Sequence, residues 1–125
     1  MANHTLLLLS QDNAEYQALL QQAYLPGLTI LAPEQEADIQ AALTRADIVL
    51  GEPARIRECL KDARVLKWAQ STYAGVEPLL DSNCRQDYQL TNIRGIFGPL
   101  ISEYVFAHLL SLTRHLRHYR EQQRL

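Results

Sequence analysis

The turn formed by Tyr73, Ala74, Gly75 and Val76 is the segment of this sequence that most suggests ligand binding. Ala74 and Gly75 are small enough for a ligand to approach the backbone closely. If a helix begins here, the amides of Ala74, Gly75 and Val76 are its unpaired first donors, at the positive end of its dipole. Such a turn binds a carboxylate or a phosphate without a charged side chain. Taken alone, the same turn also serves as an ordinary join between a strand and a helix.

Other motifs that carry chemistry are missing or incomplete. No Gly-x-Gly-x-x-Gly occurs, and the turn at residues 10–14 contains no glycine, so we predict that this chain binds no dinucleotide unaided. A phospho-acceptor domain would need an aspartate close to Gly51. His108, His115 and His118 share one predicted helix, but His118 is rotated away from the line of the other two. We therefore predict no metal site.

The candidate residues need a scaffold, and the apolar pattern predicts one. Short apolar segments at residues 5–10, 28–32, 47–50, 65–70 and 90–93 alternate with segments of helical periodicity. This alternation implies βαβ crossovers, and hence an α/β, flavodoxin-like, doubly wound parallel sheet of five strands. Ligands bind such sheets beyond the carboxyl ends of the strands, where Gly51 and the turn at Tyr73 both lie.

The end of the sequence predicts one long helix. Pro99 suits a first helical turn, and neither glycine nor proline interrupts residues 100–125. At 1.5 Å per residue, about 25 helical residues exceed the width of so small a domain. Apolar residues recur at spacings of three and four, at Val105, Leu109, Leu112, Leu116 and Tyr119. We predict that this helix leaves the domain to meet a second domain or subunit; a helix lying across its own sheet is the alternative.

Composition limits the classes of protein to which the chain can belong. With 125 residues, 47% hydrophobic and 21% charged, it has the balance of one globular domain. A net charge of −2 gives no reason to expect nucleic acid as a partner. No apolar segment approaches the roughly 20 residues that span a bilayer, so no membrane is expected either. Cys59 and Cys84, which form no Cys-x-x-Cys motif, fit a cytoplasmic protein.

Three segments resemble a known family. Leu66, Lys67 and Trp68 lead into the turn at Tyr73, and residues 92–105 read Asn-Ile-Arg-Gly-Ile-Phe-Gly-Pro-Leu-Ile-Ser-Glu-Tyr-Val. Leu-Leu-Ser-Leu-Thr-Arg follows at residues 109–114. Together they resemble the N-terminal substrate domain of the D-isomer-specific 2-hydroxyacid dehydrogenases, closest to the glyoxylate/hydroxypyruvate reductase branch. The resemblance spans the chain and is most specific over residues 66–120.

The resemblance implies a role for each candidate residue. Tyr73, Ala74, Gly75 and Val76 would form the loop that binds the substrate carboxylate, and Gly51 would help wall the pocket. The family's cofactor loop and its catalytic arginine, acid and histidine come after the long helix, and none of these motifs is present here. We therefore interpret residues 1–98 as the substrate domain and residues 99–125 as an interdomain and dimerisation helix, with the nucleotide-binding domain absent from this chain.

The resulting hypothesis concerns a longer parent protein. That parent would be an NAD- or NADP-dependent dehydrogenase of small 2-hydroxy acids, or reductase of 2-oxo acids, forming a homodimer through the last helix. The 125-residue chain, which holds no catalytic or cofactor-binding residue, would be inactive alone. The alternative is a flavodoxin-like interaction module that dimerises and catalyses nothing.

Overall fold

A computed structural model describes residues 3–124, which form two compact units. The first unit ends at Ile93 and the second begins at Arg94. The strands of the first unit are β1 (His4–Leu9), β2 (Leu28–Leu31), β3 (Ile48–Gly51), β4 (Trp68–Ser71) and β5 (Gln89–Thr91). Its helices are α1 (Asn13–Gln22), α2 (Glu36–Leu43) and α3 (Pro53–Cys59).

Within the described residues the strands form one parallel sheet in the order β2-β1-β3-β4-β5. The predicted α/β fold with a parallel sheet of five strands is therefore confirmed. β2 and β3 lie on opposite sides of β1. The crossover from β1 to β2 and the crossover from β3 to β4 therefore run in opposite directions along the sheet. The carboxyl ends of β1, β3 and β4 therefore meet at one edge, where such sheets bind ligands.

The main core lies on one face of the sheet. Side chains alternate between the faces of a strand, and Leu7, Leu9 and Val49 point to the face that α2 and α3 cover. Ile39 of α2 and Ile56 of α3 are almost completely buried there. This packing holds the start of α3 against the end of β3, which positions the loop between them.

The second unit differs from the single long helix that the sequence predicted. It contains α4 (Gly98–Thr113) and a separate α5 (Leu116–Gln122). The break lies at His115, whose φ of 53° lies in the left-handed region. Its amide donates to the carbonyl of Leu112, three residues back, and not to that of Ser111, four residues back, as it would in an α-helix. The predicted long C-terminal helix is therefore confirmed as α4, of 16 residues. Its unbroken extension over residues 100–125 is wrong, because one residue in the left-handed conformation ends the α-helical hydrogen bonding.

Apolar side chains along α4 and α5 are exposed. Leu112 is 74% exposed and Tyr119 is 60% exposed. An apolar face of this kind suits a protein surface that another polypeptide covers. No helix within residues 3–124 has both the length and the apolar character needed to cross a membrane.

Asp47 joins the starts of three strands. Its carboxylate accepts hydrogen bonds from His4 Nδ1 at 2.7 Å and from the Thr5 amide at 2.8 Å, and Lys67 Nζ lies 3.8 Å away. Burial alone would raise the pKa of Asp47, but the hydrogen bonds from His4 and Thr5 and the charges of His4 and Lys67 outweigh it. The pKa of Asp47 therefore lies below its ordinary value of 3.8.

Replacement of Asp47 by Asn is expected to lower the free energy of unfolding by about 1–2 kcal/mol near neutral pH. A lowered carboxyl pKa stabilises the fold above the unfolded-state pKa, and this stability is lost as the pH falls through the folded-state pKa. The difference between wild type and Asp47→Asn should therefore shrink below about pH 4. Urea unfolding of both proteins between about pH 7 and pH 2 tests the prediction, and a difference that does not shrink below about pH 4 would contradict it.

Candidate active site

A cleft of about 410 Å³ opens at the carboxyl edge of the sheet. The loops that follow β1, β3 and β4 enclose it. Its lining comprises Gln11, Glu52, Pro53, Ala54, Arg55, Tyr73, Gly75, Glu77 and Pro78. The cleft thus brings Tyr73 and Gly75, but not Ala74 or Val76, together with residues that the sequence did not single out.

Hydrogen bonds near the end of β4 fix the start of the turn. The amide of Thr72 donates to the Gly51 carbonyl at 2.9 Å, which extends the pairing of β3 with β4. The Ser71 hydroxyl accepts a hydrogen bond from the Tyr73 amide and donates one to the Tyr73 carbonyl, each at 2.9 Å. Ser71 is completely buried, so this closed arrangement is held rigidly at the sheet edge.

The segment after β5 fixes the carbonyl groups of the turn. Asn92 Nδ2 donates to the Ala74 carbonyl, and the Ile93 amide donates to the Tyr73 carbonyl at 3.4 Å. Two successive carbonyl groups of the turn are thus held by the segment that follows β5. Because a carbonyl and the amide of the same peptide unit point in opposite directions, this constrains the directions of the Ala74 and Gly75 amides.

The amides of Ala74, Gly75 and Val76 donate no hydrogen bond to any other residue in the described part of the chain. Successive free amides in a turn form a concave site that binds an anion. The sequence predicted these free donors, but it placed them at the start of a helix. The structure has only a 3₁₀ turn at Glu77–Leu79, so the local amides, and not a helix dipole, would attract the anion.

Tyr73 and Gly75 both line the cleft. Tyr73 is 56% exposed, so its ring is free to contact a ligand or a further part of the protein. At Gly75 a Cβ atom would lie 2.8 Å from Glu77 Oε2, the flexible end of a side chain. Gly75 therefore keeps the backbone accessible, and a side chain there would require only that the Glu77 carboxylate move.

Gly51 is placed differently from the other candidates. It is the last residue of β3, is buried, and pairs with Leu9 and Ser71 on the neighbouring strands. A Cβ atom at this position would lie 2.3 Å from the Leu9 carbonyl oxygen, so close packing of the strands accounts for the glycine. Gly51 is not among the residues that line the cleft, and its role in the pocket wall stays a prediction.

Glu52 is the residue at this edge that the sequence analysis missed. It is only 8% exposed, although a carboxylate directly before a proline usually indicates a surface loop. Its Oε1 accepts hydrogen bonds from the Ser10 hydroxyl at 2.7 Å and from the Gln11 amide at 3.1 Å. The one available signal was its position, directly after a strand that ends at the binding edge.

Unsatisfied polar atoms also mark this edge. In residues 3–124 the buried side-chain atoms without a hydrogen-bond partner are Glu52 Oε2 and Thr72 Oγ1. Both residues follow the carboxyl end of a strand. Buried polar atoms are nearly always paired in folded proteins, so these two unpaired atoms distinguish the edge at which the cleft opens; Glu52 lines the cleft and Thr72 does not.

The charges around the cleft are mixed. Glu52 and Glu77 contribute carboxylates, and Arg55 contributes a guanidinium. Nearby carboxylates also affect Tyr16. The pKa of its phenol is raised, mainly by burial and to a smaller extent by the negative charges of Asp12, Glu15 and Glu52. Within residues 3–124 no three His, Cys, Asp or Glu side chains group as ligands for a metal ion.

Comparisons with known proteins place the chain in context. No family model and no curated protein matches it. A solved structure described as a D-isomer specific 2-hydroxyacid dehydrogenase family protein from Aeromonas salmonicida subsp. salmonicida A449 is 58% identical, with a TM-score of 0.87. That match covers 98% of this chain and 40% of the other.

A second solved structure shares the fold. It is described as a D-isomer specific 2-hydroxyacid dehydrogenase family protein from Klebsiella pneumoniae 342. It is 24% identical with a TM-score of 0.68, and the match covers 99% of this chain and 39% of the other. The relationship to the D-isomer specific 2-hydroxyacid dehydrogenase family that the sequence predicted is therefore confirmed, for a chain that spans about two fifths of the length of these solved relatives.

Proposed function

We propose that this chain is the N-terminal substrate-binding part of an NAD- or NADP-dependent D-2-hydroxyacid dehydrogenase. The reaction is the reduction of a small 2-oxo acid, of the size of glyoxylate or hydroxypyruvate, or its reverse. The observation that carries the proposal is the set of free amides at Ala74, Gly75 and Val76. The middle residue of the three, Gly75, lines a cleft at the ligand-binding edge of the sheet.

The turn would bind the substrate carboxylate through its amides. Because Asn92 and Ile93 hold the carbonyls of Ala74 and Tyr73, the amides are oriented before the substrate arrives. Binding then requires little ordering of the chain. The carbonyl carbon of the substrate would be held at a defined distance from the sheet edge, and the exposed Tyr73 ring would limit access of water to it.

The residues of this chain do not fit a nicotinamide dinucleotide. The turn after β1, residues 10–14, has no glycine to admit a pyrophosphate, and its Ser10 and Gln11 already bond to Glu52. In the proposed parent, the cofactor, which supplies the hydride, and the acid–base residues belong to the nucleotide-binding domain. This chain contributes substrate binding and orientation only.

The test is an assay of the full-length parent protein with NADH and with NADPH. We expect cofactor oxidation that depends on glyoxylate or hydroxypyruvate, and no turnover by the 125-residue chain alone. A folded parent that oxidises neither cofactor with any small 2-oxo acid would contradict the proposal and favour the interaction-module alternative.

We also propose that the parent forms a homodimer through the exposed apolar side chains of α4 and α5. Leu112 and Leu116 are 74% and 54% exposed, and burying one such side chain stabilises an interface by about 1.5–3 kcal/mol. Replacing both by Glu should convert a dimer to a monomer that retains the sheet. Sedimentation of the two proteins, with circular dichroism as the control for folding, tests this. A wild-type protein that is monomeric at high concentration would contradict it.

A further inference from the structure

A depression of about 570 Å³ lies at the amino edge of the sheet. Its lining includes Thr5 in β1, Asp47 directly before β3 and Lys67 directly before β4. The candidate cleft lies at the carboxyl ends of the same parallel strands, and therefore at the other edge. The depression and the cleft share no lining residue.

Positive charge is concentrated in this depression. Residues 3–93 carry seven Lys or Arg residues and twelve Asp or Glu residues, so this part of the chain is acidic. Four of the seven cations nevertheless line the depression, with only two carboxylates. The cations are Arg45, Arg64, Lys67 and Arg85, and the carboxylates are Asp47 and Asp87. A concave site of one charge sign raises the local concentration of a counter-ion, which here is an anion.

Both carboxylates in the lining are already bound by other groups. Asp47 is held by the residues that begin β1. Asp87 accepts two hydrogen bonds from the Arg85 guanidinium, at 2.6 and 3.0 Å. The same guanidinium donates to the Ala63 carbonyl, which fixes its position. The negative groups of the depression are thus satisfied within the fold.

Arg45 and Arg64 are the cations of the depression that the fold leaves without a carboxylate. Both are exposed, and neither forms an ion pair within residues 3–124. Val65 also belongs to the lining, and its amide donates no backbone hydrogen bond in the same range. Lys67, 75% exposed, adds a further charge. Guanidinium groups match the oxygens of a phosphate, which they bind through paired hydrogen bonds.

We propose that this depression binds the phosphate group of a small ligand, either free phosphate or a phosphate monoester, through Arg45, Arg64 and Lys67. A phosphate monoester carries a charge of about −1.5 to −2 near pH 7. It therefore gains more from three cations than a monocarboxylate does. The volume of about 570 Å³ is that of a small-molecule site. The site is independent of the proposed function, because it uses no residue of the candidate cleft.

The experiment titrates inorganic phosphate and glycerol 3-phosphate separately into the ¹⁵N-labelled full-length parent. We expect saturable binding with a Kd of about 1 mM or lower, and shifts of the Val65 and Lys67 amide resonances. Tighter binding of glycerol 3-phosphate would identify a monoester as the ligand, and tighter binding of inorganic phosphate would identify the free ion. Shifts confined to residues 74–76 would place the phosphate at the turn and overturn the inference.

Arg45→Gln and Arg64→Gln should each weaken phosphate binding about tenfold or more, because each removes a charge-assisted hydrogen bond. Lys61→Gln is the control, since it removes a positive charge from an exposed position outside the lining. At about 0.1 M ionic strength such a charge is largely screened, and binding should be unchanged. Circular dichroism verifies folding. If an arginine variant does not fold, the wild-type shifts at Val65 and Lys67 decide.

Three results would overturn the inference. The first is no saturable binding of either phosphate compound. The second is an equal loss in the two arginine variants and in Lys61→Gln, because a diffuse field and not a site would then attract the anion. The third is binding of a short single-stranded oligonucleotide without binding of either small compound, which would indicate a nucleic-acid surface. None of these measurements uses turnover, so their failure leaves the proposed function intact.

Discussion

Replacing Gly75 with Asp is expected to lower kcat/KM of the full-length parent for its 2-oxo acid about 100-fold, which corresponds to about 2.7 kcal/mol. The new carboxylate would lie beside the free amides and repel the substrate carboxylate. Two charges about 4 Å apart near a protein surface interact by about 4 kcal/mol, so a loss of this size is reasonable. The KM for the nicotinamide cofactor should change little, because this chain does not bind the cofactor in the proposed enzyme.

Gly75→Asn is the matched control for that prediction. Asn has nearly the same volume as Asp but no charge, so it reports the steric part of the effect alone. The atom closest to a Cβ at this position is the flexible Glu77 carboxylate, and both variants should therefore fold. Equal losses in the two variants would show that the turn does not hold an anion.

Replacing Gly51 with Ala is expected to lower the free energy of unfolding by about 3 kcal/mol. The added Cβ would lie 2.3 Å from the Leu9 carbonyl oxygen and 2.8 Å from the Leu9 Cβ. Neither the backbone of β1 nor that of β3 can move without disturbing pairing in the middle of the sheet. Urea unfolding followed by the fluorescence of Trp68, the only tryptophan and a residue of β4, measures the effect.

Gly98→Ala provides the comparison for Gly51. Gly98 lies at the start of α4, and a Cβ there would meet no atom within 4 Å apart from its chain neighbours and its own helix. The alanine should change the free energy of unfolding by less than about 1 kcal/mol, because its higher helix propensity is opposed by its position directly before Pro99. If Gly51→Ala were as stable as Gly98→Ala, β1 and β3 would have to be farther apart than in the structure.

The sheet could be predicted from sequence because its signals are local. Residues 6–9 are four consecutive leucines, and all are buried, as expected for a central parallel strand covered on both faces. The helical turn after Val76 was less predictable. A single 3₁₀ turn and a longer helix begin with the same residues, and only the later packing decides which of them forms.

The remaining features depend on contacts between distant residues or on one dihedral angle. Nothing near Asn92 indicates that its amide bonds to the Ala74 carbonyl. Glu52 resembles a surface residue until the loop containing Ser10 folds over it. The left-handed conformation of His115 is only weakly signalled, because histidine adopts it more often than most residues but far less readily than glycine. Sequence patterns therefore located the turn, but not the groups that orient it or complete the cleft.

The central claim is that the amides of the turn bind the carboxylate of a 2-oxo acid. Oxamate, an unreactive analogue of such an acid, can be titrated into the ¹⁵N-labelled full-length parent in the presence of reduced cofactor. We predict that the amide resonances of Ala74, Gly75 and Val76 shift together and saturate with a single Kd. Saturable binding that leaves these three resonances unmoved would contradict the account.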